Sequence, residues 1–430
     1  MKEDFYFAGK NVVLLAQRLE TPFFLFDQVQ VEKNFNLLKS SFSSGYKNLR
    51  IDYSAKTNLE LGILKILKKL GVCLEIACLH ELEVGKRAGF SPWEMILDTP
   101  VKKGEEVKTI IREGTHAFYT DSLDDVKRLQ MVAGKMKKVV NVVARINPGF
   151  PLAILNPAER FLEKFGISER EFPLVMEFVL GQCPNLKIIG LSVHVGSQQL
   201  TPTAHLRALR KIFHLAKNLE KRGVKIGELC VGGGYPSLTL NKKTLFSLIF
   251  SFLGITIQQK ACPVEEFGKQ ISQAFAQEVK TLKSKPILVI QPGRSLISNT
   301  AIAVGRIMVV KGDWVFTDLS TSSLPESLFF GQRKVILANK YKKLPEGKYN
   351  IAGRGLNTAD NLAIGQRLPE PVVGDILVVF DAGAYSISRA NRFTVLNPPV
   401  YLVTRAGKIK LIRRQETYED ILAPMEAWKS

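Results

Sequence analysis

The sequence predicts an α/β fold: a (β/α)8 TIM-like barrel followed by a C-terminal β-sandwich or β-barrel domain. Three observations carry that expectation. Short β-branched runs alternate with helically periodic stretches through most of the chain. Beyond about Ser298 the alternation stops, and strands follow one another without long helices between them. The 430 residues, 46% of them hydrophobic, can bury a core in more than one domain.

Eight runs read as barrel strands: Leu49 to Ser54, Val72 to Cys78, Met95 to Asp98, Ala117 to Thr120, Val139 to Ile146, Ile188 to Val195, Glu228 to Val231 and Pro286 to Gln291. The helices between them are amphipathic. After the first strand, Leu59, Leu61, Ile63, Leu64, Ile66 and Leu67 form an apolar face, and Lys65, Lys68 and Lys69 are left for water. The barrel is expected over residues 27–297. Residues 1–26 and 298–430 form the β domain, whose strands are expected at Ile302 to Val310, Trp314 to Thr317, Lys334 to Ala338, Ile376 to Phe380, Arg392 to Leu396 and Val400 to Val403. The apolar stretch Leu245 to Ile257 is interrupted by serines and reads as a buried helix, being shorter than the roughly 20 residues a bilayer span needs.

Sixty Lys and Arg against forty Asp and Glu give a net charge of +20, which favours anionic ligands, anionic surfaces or nucleic acid through the long-range field without choosing among them. The basic residues are scattered, and no run reads as a nucleic-acid-binding arm. The five cysteines show neither a CxxC pair nor zinc-ligand spacing, which suits reduced thiols. Met1-Lys2-Glu3-Asp4 carries acids where a signal peptide has bases. A soluble cytoplasmic enzyme, bound to neither nucleic acid nor membrane, is the expectation.

In such a barrel, function collects at the carboxyl ends of the strands. The first strand ends Tyr53-Ser54-Ala55-Lys56-Thr57-Asn58, so a lysine stands at the mouth. Burial and nearby cations would free its amine of a proton and make it competent for a Schiff base. The sixth strand ends His194-Val195-Gly196-Ser197, the seventh Gly232-Gly233-Gly234-Tyr235-Pro236 and the eighth Gln291-Pro292-Gly293-Arg294. Together these supply a flat aromatic ring, a hydroxyl, a glycine turn whose amides can approach a phosphate, and a guanidinium for a charge-assisted contact. Cys78, at the end of the second strand, reads as a small buried cysteine.

With Thr21-Pro22-Phe23-Phe24-Leu25-Phe26-Asp27 near the start and Gly383-Ala384-Tyr385 near the end, these motifs resemble the fold-type III pyridoxal-phosphate decarboxylases, the group of ornithine, arginine and diaminopimelate decarboxylases. The resemblance covers nearly the whole chain. It implies that Lys56 holds pyridoxal 5'-phosphate, that His194 stacks on its ring, that Ser197, Gly233, Gly234, Arg294 and Tyr385 surround the phosphate, and that Gly293 belongs to the cofactor site. Arg145, in Ala144-Arg145-Ile146-Asn147-Pro148, matches an arginine near the cofactor, with a structural salt bridge as its other reading. Lys164 and Asp360 match a pair that bridges subunits, so the resemblance also implies a homodimer with shared active sites.

The chain departs from those relatives in three places. Leu356 and Asn357 stand where a cysteine and an acid are expected in Gly353-Arg354-Gly355-Leu356-Asn357-Thr358-Ala359-Asp360. Gln291 replaces the glutamate that would pair with the pyridine nitrogen. Leu324, in Leu324-Pro325, stands where diaminopimelate decarboxylases carry an arginine for the distal carboxylate. The resemblance therefore implies a divergent α-decarboxylase acting on an amino acid or amino-acid conjugate other than diaminopimelate. An amino-acid racemase or epimerase on the same cofactor is one alternative. A binding or regulatory protein that kept the fold and lost the chemistry is another.

Overall fold

The computed structural model describes residues 4–149, 164–237, 261–329 and 333–425. These form two compact units, one of residues 35–236 with 260–295 and the other of the residues before 35, Ser237 and those after 295.

The first unit is a closed barrel of eight parallel strands: Leu49–Ser54, Cys73–Ile76, Met95–Asp98, Ala117–Thr120, Val140–Ile146, Leu186–Val193, Glu228–Cys230 and Ile287–Ile290, in chain order around the barrel. All eight expected strands are present, with ends shifted by a few residues. Closure comes from Ile287–Ile290 pairing with Leu49–Ser54, Leu288 opposite Leu49 and Ile290 opposite Ile51. Ile96, Ala117, Tyr119, Val143, Cys230 and Val289 pack together as a buried cluster of barrel-strand side chains. The helix after the first strand spans Leu61–Lys69 and buries Ile63, Leu64, Ile66 and Leu67 as its periodicity requires.

Near the amino ends of the strands, Arg50 is clamped between Asp52 (2.9 Å) and Glu228 (2.7 Å), and His116 Nε2 meets Glu228 at 3.0 Å. Burial alone would raise the Glu228 carboxyl. Its bonds to His116 and Arg50 and their charges bring it down to about 2. The first strand thus carries a buried structural ion cluster near its start and Lys56 just beyond its end.

In the second unit the 11-residue strand Ala301–Lys311 is the spine. Its first half pairs antiparallel with Phe23–Asp27 on one side and Ile376–Val379 on the other; its second half pairs with Trp314–Thr317. The N-terminal strand Phe23–Asp27 therefore belongs to this sheet. Phe23, Leu25, Ile302, Val304, Ile376, Val378 and Val403 are all buried there in one core cluster.

The strand expectations for this unit need correction. Arg392 to Leu396 is not a strand: Thr394 has φ 59°, which an extended run cannot accommodate, and Arg392 turns to pair with Glu416 at 3.0 Å. Strands that were not expected are also present, among them Phe23–Asp27 in the N-terminal segment and, later in the chain, the three strands Gly347–Ala352, Asn361–Leu368 and Ile409–Arg413. Two of them, Asn361–Leu368 and Ile409–Arg413, are the edges of the sheet, where exposed polar side chains interrupt the apolar pattern. The stretch Leu245 to Ile257 lies outside the described residues.

Candidate active site

Lys56 sits in a single 3-10 turn, Ala55–Thr57, that continues the first barrel strand. Its side chain is 49% exposed, and its Nζ lies 2.7 Å from Glu75 Oε1 on the adjacent second strand. The sequence suggested an amine deprotonated by burial and cations; the structure instead gives it a carboxylate partner, which favours the ammonium. Burial of Glu75 opposes its ionisation, yet the charge of Lys56, hydrogen bonds from Lys56 and Ser54, and the charge of Arg145 hold its carboxyl below the usual range.

Arg145 is largely buried and bonds Asp98 Oδ1 at 2.8 Å, with its guanidinium 4.9 Å from the centre of the Phe165 ring. The structural salt bridge is thus present. Burial works against its charge, but Asp98, by charge and hydrogen bond, more than compensates and raises its pKa. Neither Glu75 nor Asp98 was singled out from the sequence.

His194 follows the sixth strand and accepts a hydrogen bond at Nδ1 from the Gly233 N–H, 3.3 Å away. That bond places the ring proton of the neutral imidazole on Nε2. Burial, followed by the positive charges of Arg145 and Lys56, lowers its pKa to about 3, so the ring is neutral near pH 7.

The glycine turn is held by its carbonyls. Gly232 O accepts from the Gln291 N–H at 2.8 Å and the Tyr235 hydroxyl at 3.1 Å; Gly233 O accepts from His205 Nε2 at 2.8 Å; Gly234 O accepts from the Gln199 N–H at 2.9 Å. No side chain fits at the second and third glycines. A Cβ on Gly233 would collide with the Gln291 carbonyl and one on Gly234 with the Gly196 carbonyl. Gly234 moreover has φ +90°. Arg294, nearly buried, donates from Nε to Ser197 Oγ at 3.1 Å, and a Cβ on Gly293 would press on the Thr57 hydroxyl. Gln291 is 6% exposed, and its side-chain Nε2 has no hydrogen-bond partner among the described residues. Lys56, His194, Ser197, Gly233, Gly234, Gln291, Gly293 and Arg294 thus all lie at the carboxyl ends of strands one, six, seven and eight of one barrel.

Cys78 corrects an expectation: it is half-buried rather than enclosed, its Sγ 3.0 Å from His80 Nδ1, and burial pushes its thiol up. Lys164 is exposed, its Nζ 5.0 Å from the centre of the Phe165 ring.

The remaining expected residues lie in the β unit. Tyr385 is half-buried with φ 51°. Leu324 is fully buried, so it presents no surface to a substrate there. Leu356 is 92% exposed on the loop that Asn357 and Asp360 close by the Asp360 N–H bonding Asn357 O. Asp360 is buried within its own unit. It is 3% exposed, and its carboxylate accepts from the Thr321 N–H (2.6 Å), the Thr321 hydroxyl (2.8 Å), the Gly355 N–H (2.7 Å) and the Ser320 hydroxyl (3.0 Å).

An amine, a neutral imidazole, a glycine turn and a guanidinium at neighbouring strand ends define an α/β-barrel enzyme whose chemistry is at the barrel mouth. The family model for the pyridoxal-dependent decarboxylase, pyridoxal binding domain, matches residues 28–298. Diaminopimelate decarboxylase of Archaeoglobus fulgidus is 27% identical over 421 residues, covering 96% of this chain and 95% of its own length. That of Neisseria meningitidis serogroup B is 28% identical over 415 residues, covering 95% and 94%. The crystal structure of diaminopimelate decarboxylase from M. jannaschii in co-complex with L-lysine superposes with a TM-score of 0.86 at 23% identity, covering 98% of this chain and 96% of that one. The lysine/ornithine decarboxylase of Vibrio vulnificus complexed with putrescine shares the fold with a TM-score of 0.74 at 18% identity, covering 92% and 98%. The chain belongs to the pyridoxal-dependent decarboxylase family. It is a carboxy-lyase that uses pyridoxal 5'-phosphate. Among the described residues no helix is long and apolar enough to cross a membrane.

Proposed function

We propose that the protein removes the α-carboxylate of an amino acid or amino-acid conjugate other than diaminopimelate, with Lys56 as the attachment point of the cofactor. The residues suit pyridoxal phosphate. The glycine turn leaves room for backbone only, Arg294 and Ser197 offer a cation and a hydroxyl to a phosphate, and the buried Gln291 amide meets no protein acceptor among the described residues. When bound, the cofactor supplies an electron sink for the carbanion left by CO2.

The chain's own groups then have separate tasks. Glu75 pairs with the Lys56 amine and orients it. His194, neutral and fixed in one tautomer by Gly233, offers a flat uncharged face. Arg145 stays charged and is held at the mouth by its pairing with Asp98.

The observation that carries the substrate reading is the pair Leu356–Asn357, on a loop whose leucine is 92% exposed. Neither side chain acts as an acid or binds a distal ammonium as a carboxylate does. So exposed a leucine also supports a second proposal, that this loop faces another copy of the chain in a homodimer with shared active sites.

The test is CO2 release by the cofactor-loaded protein from meso-diaminopimelate, lysine, ornithine, arginine and a set of N-acyl and side-chain-conjugated amino acids. A conjugate or an amino acid other than diaminopimelate should turn over fastest. Preferred turnover of diaminopimelate overturns the substrate reading, and racemisation without CO2 release overturns the reaction. Sedimentation of a cofactor-loaded monomer at micromolar concentration contradicts the shared-site dimer.

A further inference from the structure

His205 lies on the helix Thr203–Lys221, on the same buried face as Leu209, Ile212, Ala216 and Leu219. By periodicity it is a core position, yet it carries a polar ring with no exposure at all. Its plane stacks on Tyr235 (centroids 5.1 Å apart, planes 14° apart), and Phe267 meets it edge-on. Nε2 lies 2.8 Å from the Gly233 carbonyl oxygen. A carbonyl only accepts, so the proton sits on Nε2, and Nδ1 is left as a buried lone pair without a partner among the described residues.

We propose that His205 is a positioning residue for the phosphate end of the cofactor: by holding the Gly233 carbonyl it aims the Gly234 N–H into the cradle. In a trans peptide the C=O of one residue and the N–H of the next point in opposite directions. A donor that captures Gly233 O therefore fixes the Gly234 N–H on the other side of the peptide plane. The preceding peptide shows the same logic. Gly232 O is captured by Gln291 and Tyr235, and the Gly233 N–H is directed to His194 Nδ1. Both glycines lack the Cβ that restricts rotation, so this peptide would otherwise be free to flip. One imidazole behind the turn thus serves an anion it does not touch.

The proposal rests on the cradle reading given above, and the test separates the two. Full-length apoprotein is titrated with pyridoxal phosphate and with pyridoxal, following intrinsic fluorescence, for wild type, H205F and H205Q. Phenylalanine keeps an aromatic ring against Tyr235 but donates nothing; glutamine loses the ring but can donate from Nε2 at similar reach. H205F is expected to bind pyridoxal phosphate about tenfold more weakly, with pyridoxal affinity unchanged, the size expected for one lost buried hydrogen bond. H205Q should recover most of that affinity. Equal losses for both ligands, or no loss for either, overturn the proposal. Wild-type protein that binds both ligands equally removes the phosphate cradle itself, and the proposal with it. Should H205F fail to fold, H205M against H205Q makes the same comparison of donor absent and donor present.

Discussion

The Glu75 carboxylate lies 2.7 Å from the Lys56 amine and is itself almost wholly buried, while the lysine remains half exposed. The acid is thus fixed and the amine can move away from it. Replacing it by glutamine keeps an acceptor but removes the countercharge that favours the ammonium. Glu75→Gln should therefore lower the pH at which Lys56 captures pyridoxal phosphate. Borohydride-trapped adduct measured against pH checks this. Superimposable profiles for wild type and variant contradict it.

Asp360 leads to a test of the β unit. Its carboxylate accepts four hydrogen bonds, two of them from backbone N–H groups that asparagine could satisfy only in part. Asp360→Asn turns a donor toward some of those donors and should destabilise the fold by about 2 kcal/mol or more, as expected for lost bonds to a buried charge. Urea unfolding followed by the β-sheet signal measures it. A variant of wild-type stability that dissociates into monomers would instead assign Asp360 to the subunit contact that the sequence resemblance implied.

The buried histidines make the barrel sensitive to acid. His205 has its pKa lowered from 6.5 to about 4 by burial, against the opposing bond to Gly233. Between those values the unfolded chain binds a proton that the native state refuses, so stability present above pH 6.5 is lost as the pH falls toward 4. At pH 5 the loss is about 2 kcal/mol from this group alone. His194, lowered to about 3, adds in the same direction. Stability should fall less steeply from pH 7 to pH 5 in His205→Gln than in wild type. Equal slopes in urea melts contradict the assignment.

Gln291 offers a spectroscopic test. A carboxylate beside the pyridine nitrogen favours its protonated form, whereas an amide offers only a dipole. Gln291→Glu should shift the absorbance of the bound cofactor and, where carbanion formation limits the rate, speed decarboxylation about tenfold for each 1.36 kcal/mol gained. Identical spectra would mean that residue 291 does not face the ring nitrogen.

Much of the barrel was legible because its strands are nearly continuous apolar runs, such as Ile287–Ile290, bounded by turns. Lys56, His194 and Arg294 were legible for a related reason: once the strands are placed, the residues just beyond them are at the mouth. Glu75 was not, because a lone acid in Cys73–Ile76 gives no sign of which neighbour it will meet. His205 was hidden by its own periodicity, which marks a core position and says nothing of a carbonyl at the far side of a loop. Gly347–Ala352 mixes Lys, Tyr and Asn, and Asn361–Leu368 and Ile409–Arg413 are sheet edges with exposed polar side chains, so their apolar pattern is weak. The setting of Asp360 was not legible, because the donors of its own unit that its carboxylate meets lie some 40 residues away in sequence.

The central claim is that Lys56 carries the cofactor. Wild-type protein and Lys56→Ala, both loaded with pyridoxal phosphate and reduced with borohydride, should be digested and the phosphopyridoxyl peptide located by mass spectrometry. The expected result is one adduct, on Lys56, absent from a Lys56→Ala protein whose circular dichroism matches wild type. An adduct of equal yield on another lysine in the folded variant contradicts the account.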